Sequence, residues 1–354
     1  FDQPCNHGRM LCRAADRRKP RLEAGPAPHF GCMFRAGLDT LAGGFRMPVR
    51  RRRTGGKPPN MASIETYPPR GYDGILSVFH RVAASGWLPA AWFRDPIPDV
   101  SARKPAGEFP ALEIVTHCWQ YAQMLVYQLS SFVLYPPTKL DVVVTVFFAE
   151  EDADTRRLLD FIGGQAVPRV RWNWQPLPKA ELFRRGIGRN RAALATRADW
   201  IWMTDCDIVF HRGCLDSLAD QLRGRRDVLL FPREEKTTPM LPSSNPMLQK
   251  GRSAQLAEID PNEFQLHARD RAKGAYQIIH GDVARAIGYC AGIKSCQTPS
   301  ERWCKCYEDR IFRWLVGTPG TPIEVAGVYQ IRHVEKGRYA KGSAWSRLRS
   351  KIRR

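Results

Sequence analysis

Two carboxylates interrupt an otherwise apolar run. WIWMTDCDIVF, residues 200 to 210, carries Asp205 and Asp207 at i, i+2. Burying a carboxylate is costly unless it is paired, hydrogen-bonded or bound to a cation. In an extended chain, side chains two apart point the same way, so both groups can serve one partner. Hard oxygen ligands of this kind suit Mg2+ or Mn2+, ions that also accept phosphate oxygens. The other reading is a pair that caps the next helix or lines a loop. Cys206, between them, is expected to face the core. Further along, Cys290, Cys296, Cys304 and Cys306 cluster in a C-x5-C-x7-C-x-C arrangement. Four thiolates can hold a structural zinc, but the paired C-x2-C spacing is missing, and disulfides or free thiols stay open.

These residues need elements to position them. LEIVTHC (112–118) reads as a short strand, followed by a helical stretch to Tyr135 that Pro136-Pro137 stops. DVVVTVFFA (141–149) is apolar enough to be a strand buried on both faces. The pattern continues with a helix at 152–162, a strand at 170–177, a helix at 189–198 and a strand through WIWMTDCDIVF. A helix at 214–222 and a strand at 227–232 follow, with Asp152 a candidate N-cap. Residues 233–273 lose the rhythm and read as a long functional loop. Helices are predicted at 281–289 and 307–316, and a last strand at 324–334. The alternation predicts an α/β, Rossmann-like, mostly parallel sheet with helices on both faces. Ligands bind such sheets beyond the carboxyl ends of the strands, where the strand from Trp200 delivers Asp205 and Asp207. Glu308-Asp309 opens a predicted helix, a place that favours acidic residues on dipole grounds alone.

Composition bounds the class. The chain has 354 residues, 43% hydrophobic, with 10 tryptophans, which excludes a wholly disordered protein. Its net charge of +20 is concentrated at the ends: residues 1–60 carry 13 Lys/Arg against 4 Asp/Glu, and residues 332–354 carry 9 against 1. The body is close to neutral, and no RNA or DNA motif accompanies the charge, so a nucleic-acid partner is not expected. No apolar run approaches the roughly 18 residues of a spanning helix. With no signal pattern and irregular cysteines, a cytoplasmic setting is expected, peripheral to a membrane if the tail SAWSRLRSKIRR forms a basic amphipathic helix through Trp345, Leu348 and Ile352. The organisation read from these patterns is a disordered basic arm at 1–60, an irregular segment at 61–110, a catalytic domain at 111–335 and a basic tail at 336–354.

The segment GIGRNRAALATRADWIWMTDCD (186–207) resembles the part of family 2-type glycosyltransferases of the GT-A fold that ends in a metal-binding D-x-D. The match runs through Gly188, Arg189, Asn190, Ala193, Ala195, Ala198, the apolar run at 200–203 and both aspartates. A second patch agrees: Ala286-Ile287-Gly288-Tyr289, then Tyr307-Glu308-Asp309-Arg310. The resemblance covers about residues 111–335. It implies metal-dependent sugar transfer from a nucleotide-sugar donor, a UDP-sugar by preference, to a saccharide, lipid or protein acceptor, with inversion. It places Asp205 near the ribose, Asp207 on the Mn2+ or Mg2+ that bridges the phosphates, and His333 as a further metal ligand. Arg189 and Asn190 would lie on the donor side. Asp309 would be the general base, with Glu308 holding the site. The family's first strand ends in a Pro-x-x-Asn type turn where this chain has Thr116-His117-Cys118-Trp119. Its usual Asp-Asp-Gly-Ser element, which reads base and ribose, is replaced by Glu150, Glu151 and Asp152. His280 has only its position beside Gly281-Asp282 to suggest a role at the acceptor. The rivals are a nucleotidyltransferase, a catalytically inactive domain of the same fold that binds nucleotide, and a basic nucleic-acid-binding protein.

Overall fold

The computed structural model describes residues 66–69, 71, 73–250, 253–302 and 307–334. The basic arm at 1–60, the tail at 336–354, Cys304 and Cys306 lie outside the described residues.

The core is a seven-stranded sheet. Its strands are β1 (Ala111–Cys118), β2 (Asp141–Phe148), β3 (Val170–Pro176), β4 (Trp200–Met203), β6 (Leu229–Pro232), β9 (Gln277–His280) and β10 (Thr321–Ile323). In space the order is β10-β6-β9-β4-β1-β2-β3. Only β9 runs antiparallel to its neighbours. β1 lies inside the sheet, buried from Leu112 to Cys118, paired with β2 on one side and β4 on the other. An apolar run without alternation is what a parallel strand covered on both faces requires. The chain builds outward from β1 to β3, then returns to place β4 on β1's other side. That reversal falls between β1 and β4, and the carboxyl ends of the strands at such a switch point are the usual ligand position in sheets of this kind.

A second sheet of four strands, β5-β11-β7-β8, stands beside the first. It contains β5 (Ile208–Phe210), β7 (Glu234–Thr237), β8 (Gln265–Ala268) and β11 (Val328–Gln330). WIWMTDCDIVF is therefore two buried strands, one in each sheet, and Thr204 to Asp207 form the turn between them. The carboxylates fall where the chain changes sheets.

The larger helices are α1 (Asp73–Val82), α2 (Ala122–Leu134), α3 (Ala153–Gly163), α4 (Arg185–Ala195), α5 (Cys214–Leu222), α6 (Gly281–Ile287) and α7 (Glu308–Val316). Asp152 caps α3, accepting from the Thr155 amide at 3.3 Å and its hydroxyl at 2.8 Å.

Several expectations change. The stretch 233–273 is not a structureless loop: it supplies β7, β8 and the short helix Pro246–Lys250. Every residue of β8 is exposed, so no apolar pattern announces it. β9 was missed because four residues are too few to show a period. The predicted strand at 324–334 is only Val328–Gln330, and Thr321–Ile323 is a separate strand of the main sheet. α4 starts at Arg185 rather than at Arg189. Residues 61–110, read as irregular, contain α1.

Candidate functional site

α4 is the element that positions the site. Its small residues let it lie close on the carboxyl-end half of β1 and β2: a Cβ on Gly188 would come within 2.2 Å of His117 Nε2 and 3.0 Å of Phe147. His117 and Phe147 stack with ring centroids 4.9 Å apart. Burial, reinforced by Arg189 and Arg185, holds His117 well below the usual imidazole range, so it is neutral. Neither of its ring nitrogens has a hydrogen-bond partner among the described residues.

Two arginines of α4 converge on Asp205. Arg185 Nη1 lies 2.5 Å from Asp205 Oδ1, and Arg189 Nη2 lies 3.2 Å from the same oxygen. Burial opposes the charge on Arg185, but Asp205, Glu308 and Tyr289 outweigh it and raise its pKa. The guanidinium that pairs with the D-x-D turn thus also feels the charge of Glu308, far away in sequence. Arg189 is 1% exposed and also donates to the Thr204 carbonyl at 3.3 Å. Gln128 on α2 steadies the turn through the carbonyls of Asp205 (2.9 Å) and Ile208 (3.0 Å).

Asp207 is buried at 7% exposure. Gln330 Nε2 is 3.5 Å from its Oδ1, and its carbonyl accepts from the Ile331 amide at 2.9 Å. β11 therefore runs beside Asp207 and leads directly to His333. His333 is buried, with Nε2 3.0 Å from the hydroxyl of Tyr121, the residue that precedes α2. Asp205 and Asp207, from one turn, and His333, from the segment after β11, thus lie around the carboxyl end of β1. Among the described residues, no three His, Cys, Asp or Glu side chains form a group that could by itself hold a metal ion.

The second half of the site is the start of α7. Glu308 is buried, and Asp309 pairs with Arg313 at 3.2 Å. The Asp309 carbonyl accepts from Gln277 Nε2 at 3.1 Å. Gln277 Oε1 accepts from the Tyr289 hydroxyl at 2.7 Å, and that hydroxyl accepts from Arg189 at 3.2 Å. A continuous hydrogen-bonded chain therefore joins Asp205 to the backbone of Asp309. Nothing in residue type or spacing announced Gln277, Arg185 or His117; a buried, unbroken strand end next to a helix of small residues was the only available signal.

Asn190 is committed elsewhere in this arrangement. Its Oδ1 accepts from the Tyr289 amide at 3.0 Å, fixing the turn at Gly288, whose φ of +64° suits glycine. Asp152 Oδ2 also receives the Gln120 amide at 2.5 Å, tying the loop after β1 to the end of β2. Glu150 and Glu151 are exposed at that same edge. His280 is buried at the other end of β4, opposite Trp200 in the register, and caps α6. Cys206 is buried against Cys118, a contact that, with burial, raises its pKa well above the usual thiol range. Cys290 and Cys296 are free, buried thiols. A separate cleft of about 610 Å³ opens at the amino ends of β1 to β3, lined by Glu113, Arg171, Asn173 and Thr196, on the far edge of the sheet from Asp205.

Neither a protein-family model nor a curated protein sequence matches the chain. Among solved structures it is similar to a mannosyltransferase, PcManGT from Pyrobaculum calidifontis, in complex with GDP-Man and Mn2+, at 12% identity and a TM-score of 0.40, covering 79% of this chain and 73% of that one. It is also similar to S. aureus TarS 1–349, at 10% identity and a TM-score of 0.36, covering 63% of this chain and 57% of that one.

Proposed function

We propose that this chain is a glycosyltransferase that moves a sugar from a nucleotide-sugar donor to an acceptor hydroxyl, working in the crevice beyond β1 and β4. The observation that carries the reading is the hydrogen-bonded chain that runs from Asp205 through Arg189, Tyr289 and Gln277 to the backbone of Asp309. It makes the D-x-D turn and the Glu-Asp pair two sides of one charged site, at the sheet edge where ligands bind.

In this reading the donor diphosphate lies over the Thr204–Asp207 turn, with Asp205 toward the ribose. Asp207 is the protein's main ligand for a divalent ion, Mn2+ or Mg2+, with Asp205 and His333 beside it. The residues fit an ion held in the manner of phosphate-binding magnesium sites, which use one or two carboxylates and leave the remaining positions to water and substrate oxygens. Such a site needs no closed cluster of protein ligands. When bound, the ion neutralises charge on the departing diphosphate. Arg185 supplies a second, permanent cation at the same edge. Glu150 and Glu151, at the end of β2, are the candidates for reading the base and ribose, while Asp152 acts through the loop it holds.

Asp309 takes the proton from the acceptor hydroxyl as it attacks the sugar from the side opposite the leaving group, which inverts the anomeric centre. Glu308 and Gln277 keep Asp309's helix in register with the donor turn.

The test is thermal stabilisation by UDP, GDP and other nucleotides, with and without Mn2+. Metal-dependent stabilisation by one nucleotide, lost in Asp207→Ala, supports the reading. An equal response in Asp207→Ala removes Asp207 from the metal site.

A further inference from the structure

The surface of α1 is apolar where a water-facing helix should be polar. Its inner face is pinned to the body by buried His80, whose Nδ1 is 3.0 Å from Ser295 Oγ, and Ala83, just beyond the helix, is buried as well. Its outer face carries Ile75, Val78, Phe79 and Val82 at i, i+3, i+4 and i+7, all of them exposed. Trp87 and Trp92 follow, at 83% and 67% exposure. Isolated exposed apolar residues need no explanation, but a run of six large ones on one helix and its following turn marks an interaction surface. Tryptophan is the side chain enriched where an apolar phase meets water at a membrane.

A cleft of about 480 Å³ adjoins this strip, lined by Ser85 and Gly86 from the turn after α1 and by Arg271, Arg310 and Arg313, with no carboxylate in its lining. Arg310 donates to Ser85 Oγ at 2.7 Å, so the cleft and the strip share a wall. Arg271 is paired with Asp270 and Arg313 with Asp309 just outside the lining. Guanidinium forks match phosphate geometry. Arg81, exposed on α1 itself, lies over the Tyr307 ring at 4.7 Å and extends the cationic side. An apolar strip bordered by cations is the combination that an anionic bilayer rewards, by insertion of the one and headgroup contact with the other.

We propose that α1, with Trp87 and Trp92, docks this chain on an anionic phospholipid bilayer, and that the Arg271–Arg310–Arg313 cleft takes a lipid phosphate. Charge selects this occupant over a second copy of the chain, because a symmetric pairing through α1 would bring two arginine clefts together. The proposal does not depend on sugar transfer.

Flotation of the full chain with vesicles tests it, comparing pure phosphatidylcholine with phosphatidylcholine carrying about 30 mol% phosphatidylglycerol. The chain is expected to float with the anionic vesicles. Trp87→Ser with Trp92→Ser should lower the bound fraction about tenfold, because both side chains leave only solvent behind and the fold is retained by circular dichroism. Arg271→Gln with Arg310→Gln should erase the preference for anionic over neutral vesicles. Flotation unchanged by the tryptophan substitutions assigns any binding to the basic tails and overturns the proposal. So does a chain that stays at the bottom, one that floats only after residues 1–65 are removed, or a dimer in light scattering that Ile75→Asp with Phe79→Asp separates.

Discussion

Arg189 donates to the hydroxyl oxygen of Tyr289 at 3.2 Å, and the same guanidinium holds Asp205. Tyr289 in turn donates to Gln277, which donates to the Asp309 carbonyl. The turn proposed to hold the donor and the helix proposed to hold the base are therefore not independent bodies. Two buried polar side chains, Tyr289 and Gln277, set the distance between them.

Tyr289→Phe isolates that link. The ring keeps its stack on Phe312, at 4.7 Å between centroids, while the hydroxyl is lost. Arg189 and Gln277 are each left short of a partner in a buried setting, a cost of about 1–3 kcal/mol. Urea unfolding should show a loss in that range without a change in m-value. A loss below about 0.5 kcal/mol would mean that water replaces the hydroxyl and the chain is not coupled.

The sheet was legible where strands are long and buried on both faces. β1 and β2 are buried without alternation because both faces of the sheet are covered, and their limits in the structure differ from the reading by a residue or so. The second sheet was half legible: β5 and β11 fall inside the strands read at 200–210 and 324–334, whereas β7 and β8, four residues each and exposed in half or all of their length, show no apolar pattern. That same sheet explains the opening anomaly: WIWMTDCDIVF is apolar on both sides of its carboxylates because each side belongs to a different sheet. At the candidate site, Asp205, Asp207, Glu308 and Asp309 could be picked out from residue type and order. Arg185 and Gln277 could not, since a lone arginine at a helix start and a lone glutamine before an apolar pair carry no spacing signal. Asn190 and Asp152 illustrate the converse. Both stood out in the sequence, and both have side-chain oxygens committed to backbone amides, one in the turn at Tyr289 and one at the cap of α3.

Gly188 is held by contact rather than by conformation. A methyl group there would overlap His117 Nε2, and His117 is pinned by its stack on Phe147. Gly188→Ala must therefore shift α4 away from β1, with an overpacking cost of about 1–3 kcal/mol. The shift moves Arg185 and Arg189 with the helix, so nucleotide-dependent stabilisation should weaken along with the melting temperature. A melting curve that matches the parent would show that the helix and strand can separate without strain.

Stability should fall in mild acid, and His80 supplies a defined part of the fall. Burial lowers its pKa from 6.5 to about 4. Between those values the unfolded chain binds more protons than the folded one, so stability rises with pH across the window and is full above pH 6.5. On acidification from pH 7 to 4, this residue alone should remove about 3 kcal/mol. His117, His211 and His280 are also lowered, chiefly by burial, and act with the same sign. His80→Gln retains a group able to reach Ser295 and cannot titrate. Its unfolding free energy should vary less steeply with pH over that interval, and an unchanged slope would place the acid sensitivity in the other histidines.

Asp309→Asn tests the chemistry apart from binding. The amide is nearly the same shape and leaves the Asp309 carbonyl free to accept from Gln277, so the hydrogen-bonded chain to Asp205 survives. The donor turn keeps Asp205, Asp207 and Arg185. Nucleotide-dependent stabilisation with Mn2+ should therefore match the parent. What the substitution removes is the carboxylate proposed to accept a proton from the acceptor, a contribution of about 10²–10⁴ in rate for a positioned base. Release of nucleotide from a nucleotide-sugar, measured over a panel of saccharide acceptors, should fall by that factor. Two patterns separate the outcomes. Loss of turnover with binding intact assigns the base to Asp309, whereas loss of both means that the negative charge serves chiefly to hold Arg313 and the start of α7. Turnover within about threefold of the parent is too small a change for removal of a general base, and would move that role to another carboxylate at this edge, with Glu308 the first to examine.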